Sequence, residues 1–165
     1  MDAPRFQKSG ILAFIGYSDS GKTTVITELI RFLTGKGVRV AYLKRSHCDF
    51  QMDRKGKDTW KAGAAGAEWV GITSNECSAF LKNQPISLKE FRQLAPEADL
   101  IIVEGFSDED LPNKIEVVRN PLRGLKSEGQ GLLATVSPEP VQKSMPNFLP
   151  QEIDKLAGFI IDKFS

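Results

Sequence analysis

The residues Gly16-Tyr17-Ser18-Asp19-Ser20-Gly21-Lys22-Thr23-Thr24 follow directly on an apolar run, Ile11-Leu12-Ala13-Phe14-Ile15. The spacing is G-x-x-x-x-G-K-[ST], and it demands a narrow context: a buried strand ending at the first glycine and a helix starting near the second. Glycine lets the backbone turn tightly enough to aim its N–H groups inward, and the helix N-terminus adds its positive dipole end. Together these make a cradle for phosphate. Lys22 supplies a point charge for β- and γ-phosphates, and the hydroxyl of Thr23 is a candidate Mg²⁺ ligand. Gly16, Ser18, Asp19, Ser20, Gly21 and Thr24 complete the candidate nucleotide-binding loop. Asp19 is its odd member, because a carboxylate among phosphates should point outward or approach the magnesium.

The rest of the chain supports that context. Val25, Ile26, Leu29, Ile30 and Leu33 recur at helical spacing, and Gly35 and Gly37 offer the stop. Val38–Leu43 reads as a second strand, parallel to the first because a helix connects them. Lys44 to Lys57 is polar and irregular, as long functional loops are. A short helix over Asp58–Ala67 and a strand over Glu68–Thr73 follow. Ser87-Leu88-Lys89-Glu90 matches a capping box for a helix to about Ala95, stopped by Pro96. Asp99–Val103 is a continuous apolar strand of the kind buried on both faces. Ile115–Val118 and Leu132–Val136 add strands, and the stripe Ile153, Leu156, Ala157, Ile160, Ile161 and Phe164 marks a last helix. The pattern is a three-layer α/β fold of the P-loop NTPase kind, with a mostly parallel sheet flanked by helices. One domain is expected over residues 1–165, with a loose leader at 1–9 and a mobile glycine-rich loop at 119–131.

Charge narrows the partners. With 22 basic and 21 acidic residues, the chain has no basic excess for nucleic acid. It has neither an apolar run long enough to span a membrane nor a signal-peptide pattern, so a cytoplasmic location is expected. Cys48 and Cys77 form no close-spaced ligand pair.

Further site candidates lie at strand ends, where parallel sheets bind ligands. Glu104, after the strand Leu100–Val103, is a candidate magnesium ligand and catalytic acid beside Lys22. In the segment Lys44-Arg45-Ser46-His47-Cys48-Asp49-Phe50, Asp49 is a second candidate for magnesium or its waters. Lys44 and Arg45 are candidates to neutralise phosphate, and His47 is a candidate nucleotide contact. Lys57 and Asp58 begin a second loop-to-helix turn that either nears the γ-phosphate or merely caps a helix. Asn113-Lys114-Ile115-Glu116 is not a guanine-reading tetrapeptide, because it starts a strand instead of following one and carries Glu. Arg119 and Arg123 are either a phosphate lid or solvated surface arginines.

These residues resemble the MobB family, molybdopterin-guanine dinucleotide biosynthesis adaptor proteins. The resemblance rests on the loop Gly16–Thr24, on Lys44–Phe50 with Asp53, on Gly56-Lys57-Asp58-Thr59 and Ala62-Gly63-Ala64, and on Val103-Glu104-Gly105-Phe106. Leu111-Pro112 leading into Lys114-Ile115-Glu116-Val117 completes it. It implies a GTP-binding protein dependent on Mg²⁺, with weak GTPase activity at most. The implied role is to assist a MobA-type guanylyltransferase that attaches GMP to molybdopterin. A homodimer is implied too, and molybdopterin is a candidate second ligand. Asp19 departs from the family's usual small residue, and Arg45 and Cys48 stand where histidines are common. The alternative is a P-loop kinase acting on a small metabolite, with Arg119 and Arg123 on a closing lid. A metallochaperone GTPase is disfavoured by a single histidine and two cysteines.

Overall fold

Leu100–Glu104 (β5) is buried at every position, as its unbroken apolar run requires of a strand covered on both faces. The computed structural model of the protein describes Pro4, Phe6 and residues 10–46 and 50–165. The chain divides into two compact units, the first formed by residues 1–45 and 95–165 and the second by residues 46–94.

The first unit holds a six-stranded sheet of Gly10–Ile15 (β1), Val40–Lys44 (β2), β5, Lys114–Val117 (β6), Leu132–Val136 (β7) and Asn147–Phe148 (β8). The order is β2-β5-β1-β6-β7-β8, and every pairing is parallel. β5 lies between β1 and β2, so the helix Lys22–Gly35 (α1) links strands that are parallel but not neighbours. Period-two alternation sends Leu12, Phe14, Ile102 and Ile115 to one side of the sheet. There they pack on Leu29 and Leu33 of α1 and on Leu156 and Ile160 of Ile153–Phe164 (α4). All eight side chains are wholly buried. Each contributes roughly 1.5–3 kcal/mol by leaving water.

Two differences from the sequence reading have local causes. β2 starts at Val40 instead of Val38, because the Val38 N–H donates to Leu33 O at 3.1 Å and closes α1. β8 is two residues long, too short for any periodicity. It is held to β7 by Thr135 N–H on Pro146 O (2.9 Å) and Ser137 N–H on Phe148 O (3.0 Å).

The second unit contains Asp58–Ala64 (α2), Trp69–Thr73 (β3), Ser78–Lys82 (β4) and Leu88–Leu94 (α3). β3 is a strand at the expected place, but its partner is β4, in a separate antiparallel ribbon. α3 carries the expected reciprocal cap. The Ser87 N–H donates to Glu90 Oε2 at 2.8 Å, and the Glu90 N–H donates to Ser87 Oγ at 3.2 Å. Among the described residues, no helix is long and apolar enough to cross a membrane.

Candidate functional site

β1 delivers the chain into the phosphate loop at Gly16, where φ is 140° and a Cβ would lie 2.4 Å from Val117 O. Only glycine fits against the end of β6 there. Asp19 adopts φ 59°, a left-handed conformation that Asp and Asn tolerate better than most residues. The residue is exposed and its carbonyl accepts from Arg119 Nη1 at 3.4 Å, while its charge is the smallest of the influences on Lys22. Gly21 caps α1 without a side-chain hydrogen bond, and the first turn carries no acid. The N–H groups and dipole of this helix end are therefore presented to an anion instead of a capping side chain.

Lys22 folds back over the loop. Its Nζ donates to Gly16 O at 3.1 Å, Tyr17 O at 2.7 Å and Ser20 Oγ at 3.4 Å. Burial lowers its pKa below the ordinary lysine value; the Glu104 charge opposes that fall, while Lys126 and Lys44 add to it. Lys22, Lys44 and Lys126 thus share one electrostatic neighbourhood with Glu104.

Glu104 is 5% exposed at the end of β5. Its Oε2 accepts from Tyr42 OH at 2.7 Å and its Oε1 lies 3.4 Å from Lys44 Nζ. Both partners come from β2, which pairs Lys44 with Glu104 in register and places Tyr42 two residues earlier on the same face. The carboxylate is therefore held in place by a phenol and an ammonium. Arg45 is occupied elsewhere. Its Nε donates to Gly105 O at 3.1 Å, its guanidinium pairs with Asp108 and Glu109, and it lies 4.4 Å from the Phe106 ring centroid. Gly105 (φ 88°) has no room for a side chain, since a Cβ would sit 2.2 Å from Arg45 O.

The segment after β6 reaches the phosphate loop at two points. Arg119 donates to the Asp19 carbonyl, and the Arg123 guanidinium lies 3.6 Å from the Tyr17 ring centroid. A 3-10 turn, Pro121–Arg123, is capped by Asn120, whose Oδ1 accepts from Leu122 N–H at 3.1 Å. Farther on, the wholly buried carboxylate of Glu116 accepts from Lys126 N–H, from Ser127 N–H at 3.1 Å and from Ser127 Oγ at 2.6 Å. Sequence reasoning gives Arg119 and Arg123, with Lys126 beside them in the candidate lid, no more than a lid or surface role, and it gives Tyr42 and Glu116 no site role. Only the alternation that sets Tyr42 and Lys44 on one face of β2 was a signal.

Of the remaining candidates, His47 and Asp49 lie outside the described residues. Lys57 and Asp58 open α2 in the second unit, where Asp58 pairs with Lys61 at 3.2 Å. Thr23 and Thr24 are exposed on the first turn of α1. Asn113 and Glu116 serve the fold: the Asn113 amide donates to Ile11 O at 3.3 Å, and Glu116 holds the loop just described. Among the described residues, no three His, Cys, Asp or Glu side chains form a metal cage. The oxygen donors Thr23 and Glu104 still suit Mg²⁺, which is commonly held by one or two protein groups plus substrate phosphates.

The family model for molybdopterin guanine dinucleotide synthesis protein B (MobB) matches residues 11–138 of this chain. A molybdopterin-guanine dinucleotide biosynthesis adapter protein of Haemophilus influenzae is 31% identical over 154 residues, 91% of this chain and 86% of that protein. The protein of the same description from Escherichia coli is 28% identical, over 92% of this chain and 91% of its own length. A crystal structure of molybdopterin-guanine biosynthesis protein B superposes with a TM-score of 0.75 at 33% identity, covering 93% of this chain and 98% of that one. The match takes in the phosphate loop, β5 with Glu104 and the segment through β7, and on that ground the chain belongs to the MobB family.

Proposed function

We propose that the protein is a GTP-binding adapter in molybdopterin-guanine dinucleotide synthesis, assisting a MobA-type guanylyltransferase in joining GMP to molybdopterin. The observation that carries this reading is the uncapped N-terminus of α1 behind a loop whose lysine is already aimed across it. In this reading the loop N–H groups and Lys22 bind the β- and γ-phosphates, and Thr23 and Glu104 hold Mg²⁺ between protein and nucleotide. The bound ion would neutralise phosphate charge. A homodimer in the cytoplasm is the expected working form. Hydrolysis is slow in this reading, because Arg119 and Arg123 rest on the loop backbone and Tyr17. Fast phosphoryl transfer generally needs an arginine on the transferring group.

The kinase alternative is favoured by one observation, the approach of an Arg- and Lys-bearing segment to the phosphate loop. Titration of GTP, ATP and GDP with and without Mg²⁺, followed by product analysis, separates the two. Preference for GTP with Mg²⁺, and phosphate released slowly to water alone, supports the adapter. Transfer to a small metabolite, or a clear ATP preference, would overturn it.

A further inference from the structure

Beside the phosphate loop lies a cleft of about 240 Å³ between α1, the ends of β6 and β7 and the start of α4. Val117, Val136, Pro138 and Ile153 give it apolar walls. Along α1 it is bounded by Gly21, Thr24, Val25 and Glu28, an i, i+3, i+4, i+7 stripe on one helix face. Glu28 therefore stands about 10 Å farther along the helix axis than the phosphate-binding end. A nucleotide anchored by its phosphates at Gly21 and Thr24 would extend its base into this cleft.

Glu28 is the only carboxylate among the residues lining it. The side chain is half exposed and pairs with Arg31 on the next turn. Proline has no N–H, so Pro138 and Pro150 contribute surface to this cleft and no backbone donor. The donors that also line the cleft, Arg119 and the Ser20 and Thr24 hydroxyls, belong to its phosphate-loop end, where Arg119 is bonded to Asp19 O and Ser20 Oγ meets Lys22. Farther along α1 the charged side chain facing a ring system is the acceptor Glu28. Guanine presents two donors on one edge, N1–H and the N2 amino group. Adenine presents an acceptor nitrogen at the corresponding place, which a carboxylate repels.

We infer that this cleft receives the base of the bound triphosphate and that Glu28 selects guanine by accepting N1–H and the N2 amino group. The inference rests on the phosphate-loop reading above and adds the specificity that the loop cannot supply. Charge-assisted hydrogen bonds of this kind correspond to about a ten- to hundredfold difference in affinity.

The test is equilibrium binding of GTP, ITP, XTP and ATP to the wild type, Glu28→Gln, Arg31→Gln and Lys22→Ala. The wild type should bind GTP best, ITP (which lacks the N2 amino group) less well and ATP least. Glu28→Gln should lose about tenfold or more in GTP affinity and gain for XTP, whose 2-oxygen accepts from the new amide. A gain cannot come from unfolding. Arg31→Gln should keep the guanine preference, and Lys22→Ala should weaken all four nucleotides. An unchanged GTP-to-ATP ratio in Glu28→Gln, with Lys22→Ala still defective, would overturn the role of Glu28 alone. Unchanged binding by Lys22→Ala would overturn the phosphate-loop reading itself.

Discussion

The phenol of Tyr42 donates to Glu104 Oε2 at 2.7 Å across neighbouring strands, while Lys44 from the same face approaches Oε1 at 3.4 Å. A buried carboxylate at the ligand end of the sheet is thereby fixed in position from one side, which leaves β1 and the phosphate loop on the other. Tyr42→Phe removes one donor from a charge that stays buried and should cost about 1–2 kcal/mol in chemical denaturation.

The same contact sets a pH dependence. Burial, then the bond to Glu104 and that carboxylate's charge, push the Tyr42 phenol above its ordinary value. A raised folded pKa means that the stabilisation is fully present below about pH 10 and is lost as pH rises above it. In a Tyr17→Phe background, where Tyr42 is the one remaining tyrosine, phenolate absorbance should appear only at alkaline pH well above that of a free tyrosine or together with unfolding.

Glu116 should prove structural. Its wholly buried carboxylate accepts the Lys126 and Ser127 N–H groups, and Glu116→Gln turns an amide donor toward them. The expected loss is about 1–3 kcal/mol, with faster hydrogen exchange at Lys126 and Ser127. A local increase in exchange with no change at the phosphate loop would show that the two ends of the 119–131 segment are held independently.

α3 carries an acid-sensitive cap. The Ser87 N–H and hydroxyl, with Lys82, lower Glu90 to about 2. A depressed folded pKa contributes stability above the ordinary carboxylate value and loses it as pH falls from about 4.5 toward that lower value. Glu90→Ala should make α3 fray at neutral pH and remove this part of the acid response, measurable by amide exchange at residues 88–94.

Gly105→Ala should be among the most damaging single substitutions outside the core. A Cβ there meets Arg45 O at 2.2 Å on a backbone with φ 88°, so both the conformation and the space are wrong. A loss of at least about 2 kcal/mol is expected in thermal or chemical unfolding.

Features that depend on neighbours in sequence were legible in the chain: the loop from Gly16 to Thr24, the apolar run of β5, the helical stripe of α1 and the Ser87–Glu90 box. Features made by residues distant in sequence were not. Tyr42 meets Glu104 because β2 pairs with β5, and Arg123 meets Tyr17 and Asp19 receives Arg119 because β6 lies beside β1. Asp19 shows the limit most plainly. Its charge, conspicuous in the sequence, is the smallest of the influences on Lys22, whereas its backbone angle and carbonyl shape the loop.

The central claim is tested most directly by measuring molybdopterin-guanine dinucleotide formed by a MobA-type guanylyltransferase with GTP and Mg²⁺, alone and with this protein added. The account predicts a higher yield with the wild type and no gain with a folded Lys22→Ala variant. No gain from the wild type, or an equal gain from Lys22→Ala, would contradict it.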